Sequence, residues 1–120
     1  MTRDEVKEYF LSKKAAIEEF PFNISVPVYK VGDKMFGLLN VHEERASFNV
    51  KNYKEENLVL REMFEEIVPG YHMNKAHWNT IYLDGNLDDD IIKKQIDISY
   101  EIVFNSLTKK KQKEIMVDSK

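Results

Sequence analysis

Val28-Tyr29-Lys30-Val31-Gly32-Asp33-Lys34-Met35-Phe36-Gly37-Leu38-Leu39-Asn40-Val41 decides the fold. Val26, Val28 and Tyr29 lead into the turn and Met35 to Val41 follow it, and β-branched, aromatic and apolar residues of this kind suit a pleated, half-buried surface. Gly32-Asp33 supplies the turn chemistry between them, with Gly32 able to adopt the left-handed backbone that a tight hairpin needs. The stretch therefore reads as an antiparallel hairpin. Pro27 has no N–H to give to a ladder, so the first strand lies at a sheet edge or begins there.

Working outward, Ser47, Asn49 and Lys51 alternate with Phe48 and Val50, which predicts a strand with one wet and one buried face. Trp78, Thr80 and Tyr82 alternate with Asn79, Ile81 and Leu83 ahead of the turn at Asp84-Gly85, predicting another. Helical patterns flank these strands. Thr2 and Glu5 have the spacing of a capping box, and Val6, Tyr9 and Phe10 continue one stripe through about residue 14. Leu58, Val59, Met63, Phe64 and Ile67 restore a helical pattern to about residue 66, before Pro69-Gly70 stops it. The longest pattern runs from Asp88 to Leu107. Its acids Asp88, Asp89 and Asp90 suit a helix N-terminus, and Ile91, Ile92, Gln95, Ile96, Ser99, Tyr100, Val103 and Leu107 form one stripe. The order is helix, several strands, helix, strand, helix, with strand connections too short for parallel crossovers. It predicts an α+β domain, an antiparallel sheet with helices packed on one face.

A chain of 120 residues with 42% hydrophobic and 32% charged residues is an ordinary globular protein with one core. No apolar run approaches the roughly 20 residues that span a bilayer, and the charged start Met1 to Glu5 has no signal-peptide character, so the expected location is cytoplasmic with no membrane partner. The absence of cysteine excludes disulfides, thiolate metal sites and cysteine nucleophiles. The net charge of −3 lacks the basic surplus of a typical nucleic-acid-binding domain. Charge is uneven, however: Lys109, Lys110, Lys111, Lys113 and Lys120 outweigh Glu114 and Asp118. The expected organisation is one domain over residues 1–107 and a basic, frayed C-terminal tail over 108–120.

Functional side-chain types concentrate in Pro69-Gly70-Tyr71-His72-Met73-Asn74-Lys75-Ala76-His77-Trp78-Asn79-Thr80, which holds two of the three histidines and the only tryptophan. This run resembles the signature of the MmcQ/YjbR family. The resemblance extends to Phe20-Pro21-Phe22, to Val28 through Phe36, and to the helix from Asp88 that includes Ser99-Tyr100, covering about residues 2–107. It implies a compact two-layer α+β domain with a curved antiparallel sheet, a fold often grouped with secretion chaperones. Members are commonly labelled DNA-binding, because the fold is similar to a double-wing domain of a phage transcription factor.

A DNA contact would use Lys30, Lys34 and Lys75 on phosphates, with His72, Asn74, His77, Trp78 and Asn79 offering hydrogen bonds or a stacking surface. The competing reading makes Trp78 and Tyr82 core residues, Asn74 and Asn79 partners of backbone groups in a turn, and Lys75 a solvated cation. His72 and His77 lie five residues apart, neither a helical nor an alternate-strand ligand spacing, so no metal or other cofactor is expected. His42, beside Glu43 and Glu44, reads as a surface residue. Catalysis would need a pair such as His77 with Ser47 or Thr80, which no spacing demands, and no P-loop, nucleophile elbow or dinucleotide fingerprint occurs. The expectation is thus a non-enzymatic binding domain, DNA-binding around residues 71–80. The alternative is a protein-interaction or dimerisation domain using the same sheet, with the choice between monomer and homodimer open.

Overall fold

A computed structural model describes residues 1–22, 25–40, 44–71 and 73–117. Helix α1 spans Arg3–Ser12 and opens with the expected capping box: Thr2 accepts from the Glu5 backbone, and the Glu5 carboxylate accepts from the Thr2 backbone. Strand β1 (Ile17–Glu19) follows, and then the hairpin of β2 (Val28–Val31) and β3 (Lys34–Asn40). Its turn places both Gly32 and Asp33 at positive φ, 56° and 67°, the backbone that matches the twist of a two-residue hairpin loop. Strand β4 (Ser47–Lys51), helix α2 (Lys54–Met63), strands β5 (Ile67–Pro69) and β6 (Trp78–Tyr82), and helices α3 (Asp89–Ser106) and α4 (Lys109–Val117) complete the chain.

The six strands of the described residues form one sheet in the order β1-β2-β3-β4-β6-β5, and all neighbouring pairs are antiparallel. The chain is therefore α+β, as its sequence predicts. Two short strands escape the periodicity: β1 and β5, the edges of the sheet, have three residues each, too few for an alternation to register. Because β1 lies outside β2, the Pro27 strand begins at that proline and is not an edge.

Side chains at paired positions share a face. Tyr29, Gly37, Val50 and Asn79 are matched across four strands, as are Leu39, Phe48, Ile81 and Ile67, and this face carries the helices. The register jumps from Tyr29↔Gly37 to Lys30↔Met35, a β-bulge that leaves Phe36 unmatched and turns its ring toward the same side. There Phe10 meets Tyr29 (4.5 Å, stacked), Phe36 (5.7 Å) and Phe48 (5.9 Å). Gly37 is required at this crossing, because a Cβ on it would stand 2.1 Å from the Phe10 ring. From α3 the predicted stripe is buried through Ile92, Gln95, Ile96, Ser99, Val103 and Leu107. Burying such aliphatic side chains stabilises by about 1.5–3 kcal/mol each.

Two regions differ from expectation. Residues 109–117, expected within a frayed tail, form α4: Thr108 Oγ1 accepts from the Lys111 backbone N–H, and Ile115 joins the core. One apolar residue at the right phase anchors a lysine-rich helix that composition alone reads as solvated. In α2 the apolar residues Leu58, Val59 and Met63 point outward, 56–64% exposed, while Asn57 is fully buried. No helix of the described residues is long and apolar enough to cross a membrane.

Candidate functional site

The segment from Pro69 to Thr80 leaves β5, loops back and becomes β6, and its polar groups are used mainly to hold that loop in place. Asn74 Oδ1 accepts from the Ala76 N–H at 2.9 Å, and the Asn74 carbonyl accepts from the Trp78 N–H at 2.9 Å, closing a turn of the kind asparagine favours. From α2, Asn57 Nδ2 donates to the Ala76 carbonyl (3.0 Å) and Arg61 donates to the Trp78 carbonyl (3.1 Å). The Asn79 amide is clamped on both sides, accepting from Arg61 Nε at 2.8 Å and donating to Asn57 Oδ1 at 2.7 Å. Burial pulls the Arg61 pKa below its ordinary value, which fits a guanidinium enclosed among carbonyls.

This geometry divides the residues expected at a ligand. Asn79 and Trp78 are 1% and 8% exposed: β6 lies between β4 and β5, and Asn79 is held against α2. Asn74, Lys75 and His77 are exposed, although the Asn74 amide oxygen already serves the turn. Lys30 is half-buried and pairs with Glu19 at 2.9 Å. Lys34 is exposed at the β2–β3 turn, where Gly32 abuts Leu107 at the end of α3. That position sets it apart from the 74–79 loop. His72 and His42 lie outside the described residues.

The helix-free face of the sheet carries a polar system that was legible only as the wet side of two alternations. Asn40 Nδ2 donates to Ser47 Oγ (2.9 Å) and to Asn49 Oδ1 (3.0 Å), and Thr80 Oγ1 donates to Asn49 Oδ1 at 2.7 Å. The Tyr71 N–H donates to Thr80 Oγ1 (3.1 Å), and the Tyr71 and Tyr82 hydroxyls meet at 2.7 Å. Arg45 lies 3.7 Å over the Tyr82 ring and makes a two-pronged contact with Asp84 at 2.7 and 2.9 Å. Hydrogen bonding to Asp84 holds the Arg45 pKa above its usual value, and the same bond holds that of Asp84 below its own. Lys51 is matched to Trp78 across β4–β6, which places it on this face. Neither Lys51 nor Lys75 forms an ion pair among the described residues.

The chemistry available is hydrogen bonding, aromatic contact and positive charge. Ser47 and His77 cannot act together: Ser47 pairs with Tyr82, at the far end of β6 from His77, roughly 17 Å along the strand at about 3.3 Å per residue. The Thr80 hydroxyl is engaged by Asn49 and Tyr71. Among the described residues no three His, Asp or Glu side chains gather where they could hold a metal ion. Sequence reasoning missed Asn40, Arg45, Lys51, Tyr71 and Tyr82 as one surface, although the alternations of residues 47–51 and 78–82 carried part of the signal.

Comparison with known proteins agrees with this architecture. The chain is 34% identical over 113 residues to the Escherichia coli K12 protein named uncharacterized protein YjbR, spanning 94% of this chain and 96% of that one. It is 30% identical over 96 residues to uncharacterized protein YbdF of Escherichia coli O157:H7, spanning 80% and 79%. The crystal structure of Deinococcus radiodurans protein DR2400, with the family domain DUF419, superposes with a TM-score of 0.88 at 30% identity, covering 96% of this chain and 88% of that one. A Pseudomonas syringae protein superposes at 0.75 and 26% identity, covering 86% and 99%. The YjbR family model matches residues 11–102, and the chain belongs to the YjbR family.

Proposed function

We propose that this chain is a non-catalytic binding domain that holds nucleic acid on the helix-free face of its sheet. The observation that carries the reading is the company kept by Lys51 and Lys75. Two cations without ion-pair partners among the described residues accompany the tyrosine pair Tyr71 and Tyr82 and the half-buried Asn40, which lie over a buried layer of Ser47, Asn49 and Thr80 that holds them in place. Of the acids near this face, Glu19 and Asp84 are each already engaged by a cation, Lys30 and Arg45. Local positive charge can therefore attract phosphates although the whole chain is acidic. Tyr71, 43% exposed, offers a ring on which an unpaired base can stack. The surface is thus shifted from the 71–80 loop toward β4 and β6, with Lys75 and His77 at its rim.

The test is fluorescence anisotropy of labelled duplex and single-stranded DNA across a salt series. With Lys51, Lys75 and one further cation as contacts, log affinity should fall against log salt with a slope of roughly −2 to −3. Lys51→Ala and Lys75→Ala should each weaken binding across sequences and reduce the slope by about 1. Neutralising α4 through Lys109→Gln, Lys110→Gln and Lys113→Gln should leave the affinity unchanged. Absence of binding at low salt, or binding lost only with the α4 substitutions, overturns the proposal and turns the search to protein partners.

A further inference from the structure

Helix α2 is amphipathic in an unusual sense. Its inward side joins the core-packed Leu60 to Asn57 and Arg61, hydrogen-bonded to the 75–79 loop and β6, while Leu58, Val59 and Met63 face out. With successive residues about 100° apart around a helix, Leu58, Glu62, Glu55, Val59, Met63 and Glu56 fall in that order on one exposed arc. Leu58, Val59 and Met63 are 60%, 56% and 64% exposed, and the interspersed glutamates are exposed as well. This is an apolar strip in a mainly acidic frame, three glutamates against the single exposed Lys54 beside Leu58.

Helix α4 presents the opposite combination. Ile115 is its inward anchor, 7% exposed, and the same angular spacing puts Met116, Lys109, Lys113, Val117 and Lys110 on the outer arc. Met116 and Val117 are 56% and 76% exposed, and the three lysines are exposed too. The strips lie apart in the fold. Residues of α2 pack beside the edge strand β5, whereas α4 lies against the end of α3, with Met116 reached by Lys14 from beyond α1.

We propose that the α2 strip of one molecule docks the α4 strip of a second copy. Apolar surface exposed on two helices of one chain marks interaction sites, and opposite charge around the two strips selects each as the other's cover. Leu58, Val59 and Met63 would pack against Met116 and Val117, while Glu55, Glu56 and Glu62 face Lys109, Lys110 and Lys113. The contact joins two different surfaces, so each added copy leaves one α2 and one α4 open. Association continues past the dimer unless a ring closes. None of these residues belongs to the nucleic-acid face, so the two proposals stand or fall separately.

Sedimentation velocity of the full chain, without nucleic acid, tests the contact. The weight-average sedimentation coefficient should rise with protein concentration and rise less at high salt. Reversing charge on one strip, with Glu56→Lys and Glu62→Lys, should weaken association roughly tenfold or more, because like charges then face each other. Lys110→Glu with Lys113→Glu should do the same, and an equimolar mixture of the two reversed proteins should associate again, because both pairings between unlike variants then join opposite charges. Val59→Ser, at a position exposed in the monomer, should weaken association while leaving the fold unchanged by circular dichroism. A chain that stays monomeric at every concentration overturns the proposal. Association indifferent to both charge reversals, or no recovery in the mixture, overturns it as well.

Discussion

Replacing Asn79 with alanine separates a structural asparagine from a ligand contact near the end of the 69–80 run. The side chain is 1% exposed and makes one neutral hydrogen bond to Asn57 (2.7 Å) and one charge-assisted bond from Arg61 (2.8 Å). A neutral bond is worth about 1 kcal/mol net and a charged one about 1.5–3 kcal/mol, with a further penalty for the Asn57 oxygen left without its donor. Arg61 keeps its contacts to the Lys75 and Trp78 carbonyls, which limits the damage. Together these give a loss of roughly 3–4 kcal/mol, equivalent to a fall in Tm of roughly 12–15 °C for a chain of this length. Urea unfolding measures it directly, with Lys75→Ala as a control expected to stay within about 0.5 kcal/mol of the parent. Asn79→Ala costing under about 1 kcal/mol, with nucleic-acid affinity lost from the folded protein, would refute the assignment and return Asn79 to the binding surface.

Gly37→Ala should destabilise by about 3 kcal/mol or more, since the added Cβ meets the Phe10 ring at 2.1 Å; chemical denaturation should also show part of the loss recovered by Phe10→Leu, and a neutral Gly37→Ala would contradict the packing. Ser99 Oγ donates to the Phe36 carbonyl (2.6 Å) and accepts from the Lys51 N–H (2.8 Å). Ser99→Ala should therefore cost about 1–3 kcal/mol and accelerate hydrogen exchange at the Lys51 amide, and an unchanged exchange rate would exclude the bridge. Burial, then the hydrogen bond to Glu18, raises the Tyr29 pKa in the folded state, whereas the unfolded chain ionises near the ordinary value of about 10. The stability this confers is complete below about pH 10 and is lost as pH rises further. Unfolding free energies between pH 8 and 11.5 should fall less steeply for Tyr29→Phe than for the parent, and identical slopes would remove Tyr29 from the account.

The candidate face was harder to read than the fold because burial reverses the meaning of a residue type. Lys75, His77 and Asn79 lie at alternate positions within five residues and are equally functional by composition. Yet β6 turns Asn79 toward α2 while Lys75 and His77 stay at the surface. Lys30 and Lys34 were grouped with that loop by family resemblance, but strand pairing gives Lys30 to Glu19 and the turn carries Lys34 toward the end of α3. Lys51 went unnoticed as a candidate because nothing in the sequence shows that its wet face is the one that also receives Trp78, Thr80 and Tyr82.

The sequence by itself determined the capped first helix, the hairpin at Gly32-Asp33, the strands at 47–51 and 78–82, the long stripe of α3 and the α+β class. Each is written in short-range spacing or in a residue with a special backbone range, information that needs no partner to be read. Tertiary structure alone decided the strand order, the short edges β1 and β5, and the outward turn of Leu58, Val59 and Met63. It also decided the anchoring of α4 by Ile115. These depend on which surface meets which at long range, and in α2 a buried asparagine–arginine network supplies inward contacts that hydrophobicity alone assigns to the apolar side.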